Sequence, residues 1–262
     1  MLYSLIPVHT CLRQSKGIYI LKMYEMIMVN KEENVNLMLR WLQWADKDYI
    51  AARLLLLHDL LVQGSGLSNT AVEKYLKTLF VYFDLKFPRG YEGHNICALY
   101  KKLETEKGLE LGLNEEYLAL LFKSYPLRYP DELDKPGFNI VLCKTKLLVE
   151  LYHTVYEIRK GISVEKAGEK MDTSIEDHQK RGDPILLNKN CYFGNCDRAT
   201  LFKELSPCHE LGVIDKMGLV DTFIFHEGIE DNGKFDVEAF KPDGKGGYLF
   251  GERSKIHVPQ TK

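Results

Sequence analysis

The stretch Trp41-Leu42-Gln43-Trp44-Ala45-Asp46-Lys47-Asp48-Tyr49-Ile50-Ala51-Ala52-Arg53-Leu54-Leu55-Leu56 decides the fold of this chain. In and just before it, apolar residues recur at steps of four and three: Met38, Leu42, Ala45, Tyr49, Ala52 and Leu56. This spacing places side chains on one face of an α-helix. The pattern therefore predicts an amphipathic helix over residues 32–61.

A second helix follows after a break. Glycines at positions 64 and 66 are expected to end the first helix. The apolar stripe of the second helix is Val72, Leu76, Leu79 and Phe83. Thr70 and Glu73 have the spacing of a capping box at its start.

Three more helices complete the predicted bundle. A proline and a glycine at positions 88 and 90 end the second helix. Residues 95–107 and 114–124 are predicted as the third and fourth helices, and residues 138–160 as a long last helix. An elbow with two prolines, residues 125–130, precedes the last helix. Short links between amphipathic helices favour antiparallel packing, so we predict a mainly α fold: an antiparallel bundle of four to five helices.

Outside the bundle, which we place at residues 31–162, the sequence is less regular. Residues 1–30 form a leader whose structure the sequence does not define, and its apolar run at 18–29 is too short and too charged to cross a bilayer. Residues 163–189 are polar and read as a linker. Residues 190–262 are predicted to form a small α+β tail, with a helix at 198–211 and a strand at 219–225.

Composition and charge limit the binding partners and the cell compartment that we expect. The formal net charge is -2, so any contact with nucleic acid must come from a local patch. Six cysteines are scattered along 262 residues without a signal peptide, which favours reduced thiols in the cytoplasm. We expect a cytoplasmic protein with no membrane contact and no cofactor.

Four sequence elements resemble those of the HEPN domain family. The first is the helix quoted above, and the second is Ala71-Val72-Glu73-Lys74-Tyr75-Leu76-Lys77-Thr78-Leu79. The third is Gly93-His94-Asn95-Ile96-Cys97-Ala98-Leu99, with Asn95 where the family has Asp. The fourth is Leu127-Arg128-Tyr129-Pro130-Asp131. Four elements in the family's order, over about residues 35–160, make the resemblance specific.

The resemblance implies a helical bundle that commonly forms a homodimer. It also implies a nucleotidyltransferase as an expected partner, because HEPN proteins are often encoded with one or fused to one. Some HEPN proteins are metal-independent ribonucleases, whereas others bind nucleotide or RNA without catalysis.

The family's ribonucleases carry an Arg, four to six residues and then a His at the start of the last helix. His moves the proton of the 2′-hydroxyl, and Arg holds the phosphate. Here Arg128 stands at that place, but Leu133, Asp134 and Lys135 occupy the positions of the His. The usual motif is therefore missing, and the leading hypothesis is a non-catalytic module that binds nucleotide, RNA or a nucleotidyltransferase.

Two other Arg–His pairs have the required spacing. Arg53 and His58 fall on different faces of the first helix and are expected to be surface charge and an edge histidine. Arg89 and His94 lie in a loop, where they are catalytic candidates for a divergent ribonuclease or toxin. A third hypothesis is an interaction protein whose C-terminal tail recruits a partner.

Six residues are the candidates for binding a ligand: Glu73, Lys74, Lys77, His94, Arg128 and Asp131. The functional interpretation is a cationic cleft in the bundle that meets a phosphate. The alternative for helix two is a solvated Glu–Lys pair. The alternative for Arg128 is a buried structural pair with Asp131. The alternative for His94 is a capping or core-edge histidine that makes one hydrogen bond.

The tail also offers weak metal candidates, which are Cys191, Cys196, Cys208 and His226. The first two cysteines are separated by four residues, at the outer edge of known zinc spacings. The sequence favours small buried thiols over a zinc site.

Overall fold

The protein folds into a helical bundle with a small antiparallel sheet beside it. The computed structural model describes residues 32–129, 139–160, 162, 165–166, 169–214, 218–235, 240–242 and 248–250. The predicted leader and Asp131 lie outside these residues. The mainly α fold with a small α+β extension is confirmed.

The helices are α1 (Glu32–Leu57), α2 (Leu61–Tyr82), α3 (Ile96–Lys107), α4 (Glu115–Ser124), α5 (Lys144–Lys160), α6 (Ser174–Lys180), α7 (Pro184–Leu187) and α8 (Arg198–Lys203). Short 3-10 turns occupy Gly90–Gly93 and Tyr125–Arg128. The strands are β1 (Asn139–Cys143), β2 (Glu165–Lys166), β3 (Glu169–Lys170), β4 (Ser206–Ile214), β5 (Gly218–His226), β6 (Phe240–Pro242) and β7 (Tyr248–Phe250). No helix in the described ranges has both the length and the apolar character needed to span a membrane.

The α1–α2 pair forms the centre of the core. The six apolar residues that predict α1 are all buried: Met38, Leu42, Ala45, Tyr49, Ala52 and Leu56. The starts of α3 and α4 also agree with the prediction, because Asn95 and Asn114 cap them by accepting hydrogen bonds from backbone N–H groups.

The predicted helix break at residues 63–66 is wrong. These residues belong to the first turns of α2, and the chain reverses earlier, where Asp59 adopts a φ of 63°. Gly64 instead permits close packing, since a Cβ there would lie 2.6 Å from Cδ2 and 3.2 Å from the backbone N of Leu56. The capping box at Thr70 is also wrong, because Thr70 lies inside α2 and donates to the carbonyl of Gly66.

The predicted last helix begins later than expected. Residues 139–143 form β1, and only from Lys144 does the chain become helical. Residues 140–143 are all buried, and β1 pairs in antiparallel register with β4, Cys143 opposite Cys208. A short apolar run is compatible with either a buried strand or a buried helix. Residues 139–143 form a strand because they pair with β4, which lies more than sixty residues later in the sequence.

The tail supplies the other two strands of this sheet. The sheet order is β1-β4-β5. The strand predicted at 219–225 is confirmed within β5, but the helix predicted at 198–211 stops at Lys203. Residues 206–214 pair with β5 along their whole length, and residues 208–212 also pair with β1. Inter-strand hydrogen bonds therefore fix a conformation that local sequence does not reveal.

The segment predicted as a linker packs on the bundle. Ile175 of α6 and Leu186 of α7 are fully buried and belong to the main core. Arg53 of α1 is also fully buried, and its guanidinium donates to the carbonyls of Ile185 (2.8 Å) and Asn188 (2.7 Å). The prediction that Arg53 is a surface charge is therefore wrong. Its buried guanidinium supplies hydrogen-bond donors to backbone carbonyls of the segment that follows α6.

A second buried group ties the same segment to three helices. Asp46 of α1 accepts hydrogen bonds from Tyr75 of α2 (2.6 Å) and from Arg159 of α5 (2.5 Å). It also contacts the side chain of Thr173 and accepts from the backbone N–H of Ile175. Thr173 forms a capping box with Glu176 at the start of α6.

We predict that Gly64→Ala lowers the free energy of unfolding, whereas Gly66→Ala leaves it unchanged or raises it. Alanine favours helix in both cases. At position 64 its methyl group meets Leu56, so we expect the free energy of unfolding to fall by about 1–3 kcal/mol. At position 66 the nearest atoms, 3.3 Å away, belong to the exposed Arg128 side chain, so we expect no loss or a gain of about 1 kcal/mol. Urea unfolding of both variants measures the difference, and equal effects would contradict the packing argument.

We predict that protonation of Glu176 lowers the free energy of unfolding at acid pH. Burial alone raises the pKa of Glu176, but Arg159 and hydrogen bonds with Thr173 outweigh it and lower the pKa from 4.5 to about 2. The folded state therefore gains stability from ionised Glu176 above pH 4.5 and loses it as the pH falls towards 2.

Urea unfolding between pH 2 and pH 7 tests this. The stability difference between wild type and Glu176→Gln should be largest at pH 7 and shrink on acidification. Glu204→Gln is the control, because it removes only an exposed ion pair with Lys189, which is worth about 0–1 kcal/mol. A difference that stays constant with pH would rule out the ionic role of Glu176.

Candidate functional site

Glu73 is the centre of a polar cluster on α2. Its side chain is only 8% exposed, and Oε1 accepts from Nζ of Lys77 at 2.6 Å. The same oxygen lies 3.1 Å from Nδ1 of His94. The solvated Glu–Lys pair considered from the sequence is therefore wrong, because both side chains are largely buried. A buried carboxylate that contacts both an ammonium group and an imidazole has a fixed orientation.

His94 is positioned by the turn that connects α2 to α3. It follows the 3-10 turn Gly90–Gly93 and precedes Asn95, the cap of α3. The turn is tight at Gly93, where a Cβ would lie 2.6 Å from the carbonyl oxygen of Pro88. The His94 side chain is 59% exposed although Glu73 holds Nδ1. Nε2 is therefore the nitrogen left for a ligand.

The side chain of Lys74 extends towards α1 and not towards the turn that carries His94. Its Nζ forms an ion pair with Asp48 of α1, in which both side chains are partly exposed. Lys74 and Lys77 thus have separate carboxylate partners. The two pairs fix both ammonium groups along the seam between α1 and α2.

Two tryptophans of α1 lie beside these lysines. Nζ of Lys77 is 5.5 Å from the centre of the Trp41 ring, and Nζ of Lys74 is 5.5 Å from that of Trp44. Lys47 approaches Trp44 as well, at 5.4 Å. Sequence reasoning missed this group. The signal that could have found it is Trp44 itself, an aromatic residue outside the apolar stripe of α1.

Arg128 has a different setting from the one predicted. It is exposed in the 3-10 turn Tyr125–Arg128, and its guanidinium lies 3.6 Å from the centre of the Tyr125 ring and 5.2 Å from that of Tyr129. The alternative of a buried Arg128–Asp131 pair is therefore wrong for Arg128, and Asp131 lies outside the described residues. Arg128 contacts α2 at Gly66, about 12 Å along the helix axis before Lys74.

The two catalytic candidates flank a single turn. Arg89 is the N-cap residue of the 3-10 turn Gly90–Gly93, and His94 is its C-cap residue. Both are exposed to solvent. The structure therefore places them at the same loop, where Glu73 of the bundle holds His94.

The cysteines of the tail are packed as thiols. Cys191 and Cys196 contact a small apolar cluster that contains Val149 and Phe202, and burial raises the pKa of Cys191 to about 11. Cys208 is buried in β4 opposite Cys143. Within the part of the chain that the structure describes, which includes His226, no three metal-binding side chains come together. Cys208 fits the expectation of a buried thiol, whereas Cys191 and Cys196 are only partly buried.

Comparison with known proteins supports the resemblance seen in the sequence. A family model described as HEPN domain matches residues 38–160. The comparison with curated proteins and the comparison with solved structures each found no match. The matched range extends from α1 to the end of α5 and so includes Glu73, Lys74, Lys77, His94 and Arg128. Residues 38–160, a little under half of the chain, therefore match the HEPN domain family, as the sequence resemblance predicts.

Proposed function

We propose that this protein is a non-catalytic HEPN module that binds the phosphate of a nucleotide or RNA at Lys74, Lys77 and His94. The HEPN domain implies a nucleotide- or RNA-related function at the level of the family. The observation that carries the proposal is Glu73, whose carboxylate holds the largely buried Lys77 and the exposed His94 together where α2 leads into the turn before α3. A homodimer and a nucleotidyltransferase partner belong to the proposal through the family resemblance alone.

Local charge supports an anionic ligand. Two carboxylates, Asp48 and Glu73, face Lys74, Lys77 and the nearby Lys47, so the surface keeps an excess of positive charge. The whole chain carries a net charge of -2, so attraction of a phosphate depends on this surface and not on the protein as a whole.

The absence of the usual catalytic motif supports binding without catalysis. No histidine follows Arg128 by five to seven positions. In addition, Glu73 shares one oxygen, Oε1, between Lys77 and His94. Both donor groups are thereby held in place around one carboxylate oxygen. This arrangement suits a fixed donor set for a phosphate better than a proton carrier.

We predict that Lys74→Gln combined with His94→Gln weakens binding of a fluorescent RNA oligonucleotide about 10-fold at 0.1 M salt. We also expect the slope of log K against log salt to become shallower by about one to two, because one or two phosphate contacts are lost. Fluorescence anisotropy measures both quantities. Both side chains are partly or largely exposed, so we expect the fold to persist, which circular dichroism checks.

The matched control is Lys101→Gln, which removes an exposed lysine from α3. It should leave the dissociation constant within about twofold of wild type. Equal affinity of the double variant and wild type would show that this surface does not bind RNA.

A second candidate function, a ribonuclease that uses Arg89 and His94, is favoured by one observation. Glu73 accepts at Nδ1 of His94, which leaves Nε2 as the nitrogen able to take the proton of a 2′-hydroxyl. The 2′-oxygen would then attack phosphorus, the bond to the 5′-oxygen would break, and a proton would pass to that oxygen. Arg89 would stabilise the charge on the phosphate.

For this candidate we predict that RNA cleavage by the purified protein is lost in His94→Gln and in Arg89→Gln. His58→Gln is the control, because His58 is exposed in the turn that follows α1. Cleavage that survives in all three variants would come from a contaminant or another site. RNA that stays intact with wild type would remove the ribonuclease and leave the binding module.

A further inference from the structure

Trp44 exposes a large apolar surface at the seam between α1 and α2. Its side chain is 58% exposed, whereas Trp41, one turn earlier, is partly buried and packs edge-on against Phe87 at 5.9 Å. An indole has one of the largest apolar surfaces of any side chain, and leaving it in water forgoes a considerable hydrophobic gain. The position of Trp44 therefore suggests a contact that forms only with a ligand.

Cations surround the exposed ring. Nζ of Lys47 lies 5.4 Å from its centre, and Nζ of Lys74 lies 5.5 Å from it. Lys74 is held by Asp48, whereas Lys47 makes no ion pair with any residue that the structure describes. With Trp41 and Lys77, these residues form what we call the tryptophan–lysine surface: Trp41, Trp44, Lys47, Lys74 and Lys77.

The chemistry of this surface matches single-stranded nucleic acid. Proteins that bind single strands combine aromatic rings, on which bases stack, with cations that follow the phosphates. Surfaces that bind other proteins are depleted in lysine, whereas three lysines lie here within 5.5 Å of an indole centre. A helical RNA duplex is a poor fit, because its bases are stacked within the helix and its major groove is deep and narrow.

We propose that Trp44 stacks on an unpaired base of single-stranded RNA, with the flanking phosphates bound by Lys47 and Lys74. This inference rests on the proposed function and extends it, because it specifies the strand state of the RNA and adds Trp44 and Lys47 to the site. Lys74 belongs both to the proposed phosphate site and to the tryptophan–lysine surface, since it lies beside Trp44 and one helical turn from Lys77.

Fluorescence anisotropy with a labelled single-stranded RNA of ten uridines, and with a ten-base-pair RNA duplex, tests the proposal. Trp44→Ala should weaken binding of the single strand about 5- to 150-fold, the range for loss of one stacked base. The salt dependence should stay unchanged, because no phosphate contact is lost. Trp44→Phe should retain most of the affinity. Lys47→Gln should instead make the salt slope shallower by about one.

Leu54→Ala is the matched control, since Leu54 is another exposed apolar residue of α1, at 39% exposure. It should bind like wild type. Single-strand affinity that is unchanged in Trp44→Ala, while Lys74→Gln with His94→Gln weakens it, would overturn the stacking and leave the proposed function in place. Wild type that binds neither RNA would overturn both. A Trp44→Ala variant that changes only the oligomeric state, measured by sedimentation, would identify a protein interface and also overturn the stacking.

Discussion

The structure depends on a buried carboxylate, that of Asp46. It joins α1 to Tyr75 of α2, to Arg159 of α5 and to the cap of α6 at Thr173. Burial raises the pKa of Asp46, and the guanidinium of Arg159 opposes that effect. Removal of either partner would leave a charge buried without compensation, which is far more costly than loss of an exposed pair. The bundle and the segment after it are therefore held by the same contacts.

This buried contact also determines the outer surface. Tyr75 and Lys74 are neighbours in α2, and Asp46 and Asp48 lie close together in α1. When Tyr75 reaches Asp46 inside the bundle, Lys74 reaches Asp48 at its surface and lies beside Trp44. One helical turn further along α2, Lys77 meets Trp41. The alignment of two helices, fixed in the core, thus creates the surface proposed to bind RNA.

Local sequence was informative where a single element carries its own signals. The apolar stripe of α1 predicted its helix correctly, and the predicted starts of α3 and α4 fall at the asparagines that cap them. Hydrophobic periodicity and capping both act within a few residues. Local signals misled at Gly64, which allows a close approach to Leu56, and at Arg53, whose acceptors are backbone carbonyls about 130 residues later. In both cases the decisive partner is distant in sequence or belongs to another helix.

The sequence by itself determined the helical bundle, the HEPN resemblance and the residue types from which a phosphate site is built. It did not determine which of those residues meet. Only the tertiary structure decided that Glu73 holds Lys77 and His94, that Arg128 stacks on tyrosines instead, and that residues 139–143 join the tail in a sheet. The physical reason is that periodicity specifies which face of a helix is buried, whereas the alignment of helices and the pairing of strands depend on contacts between distant parts of the chain.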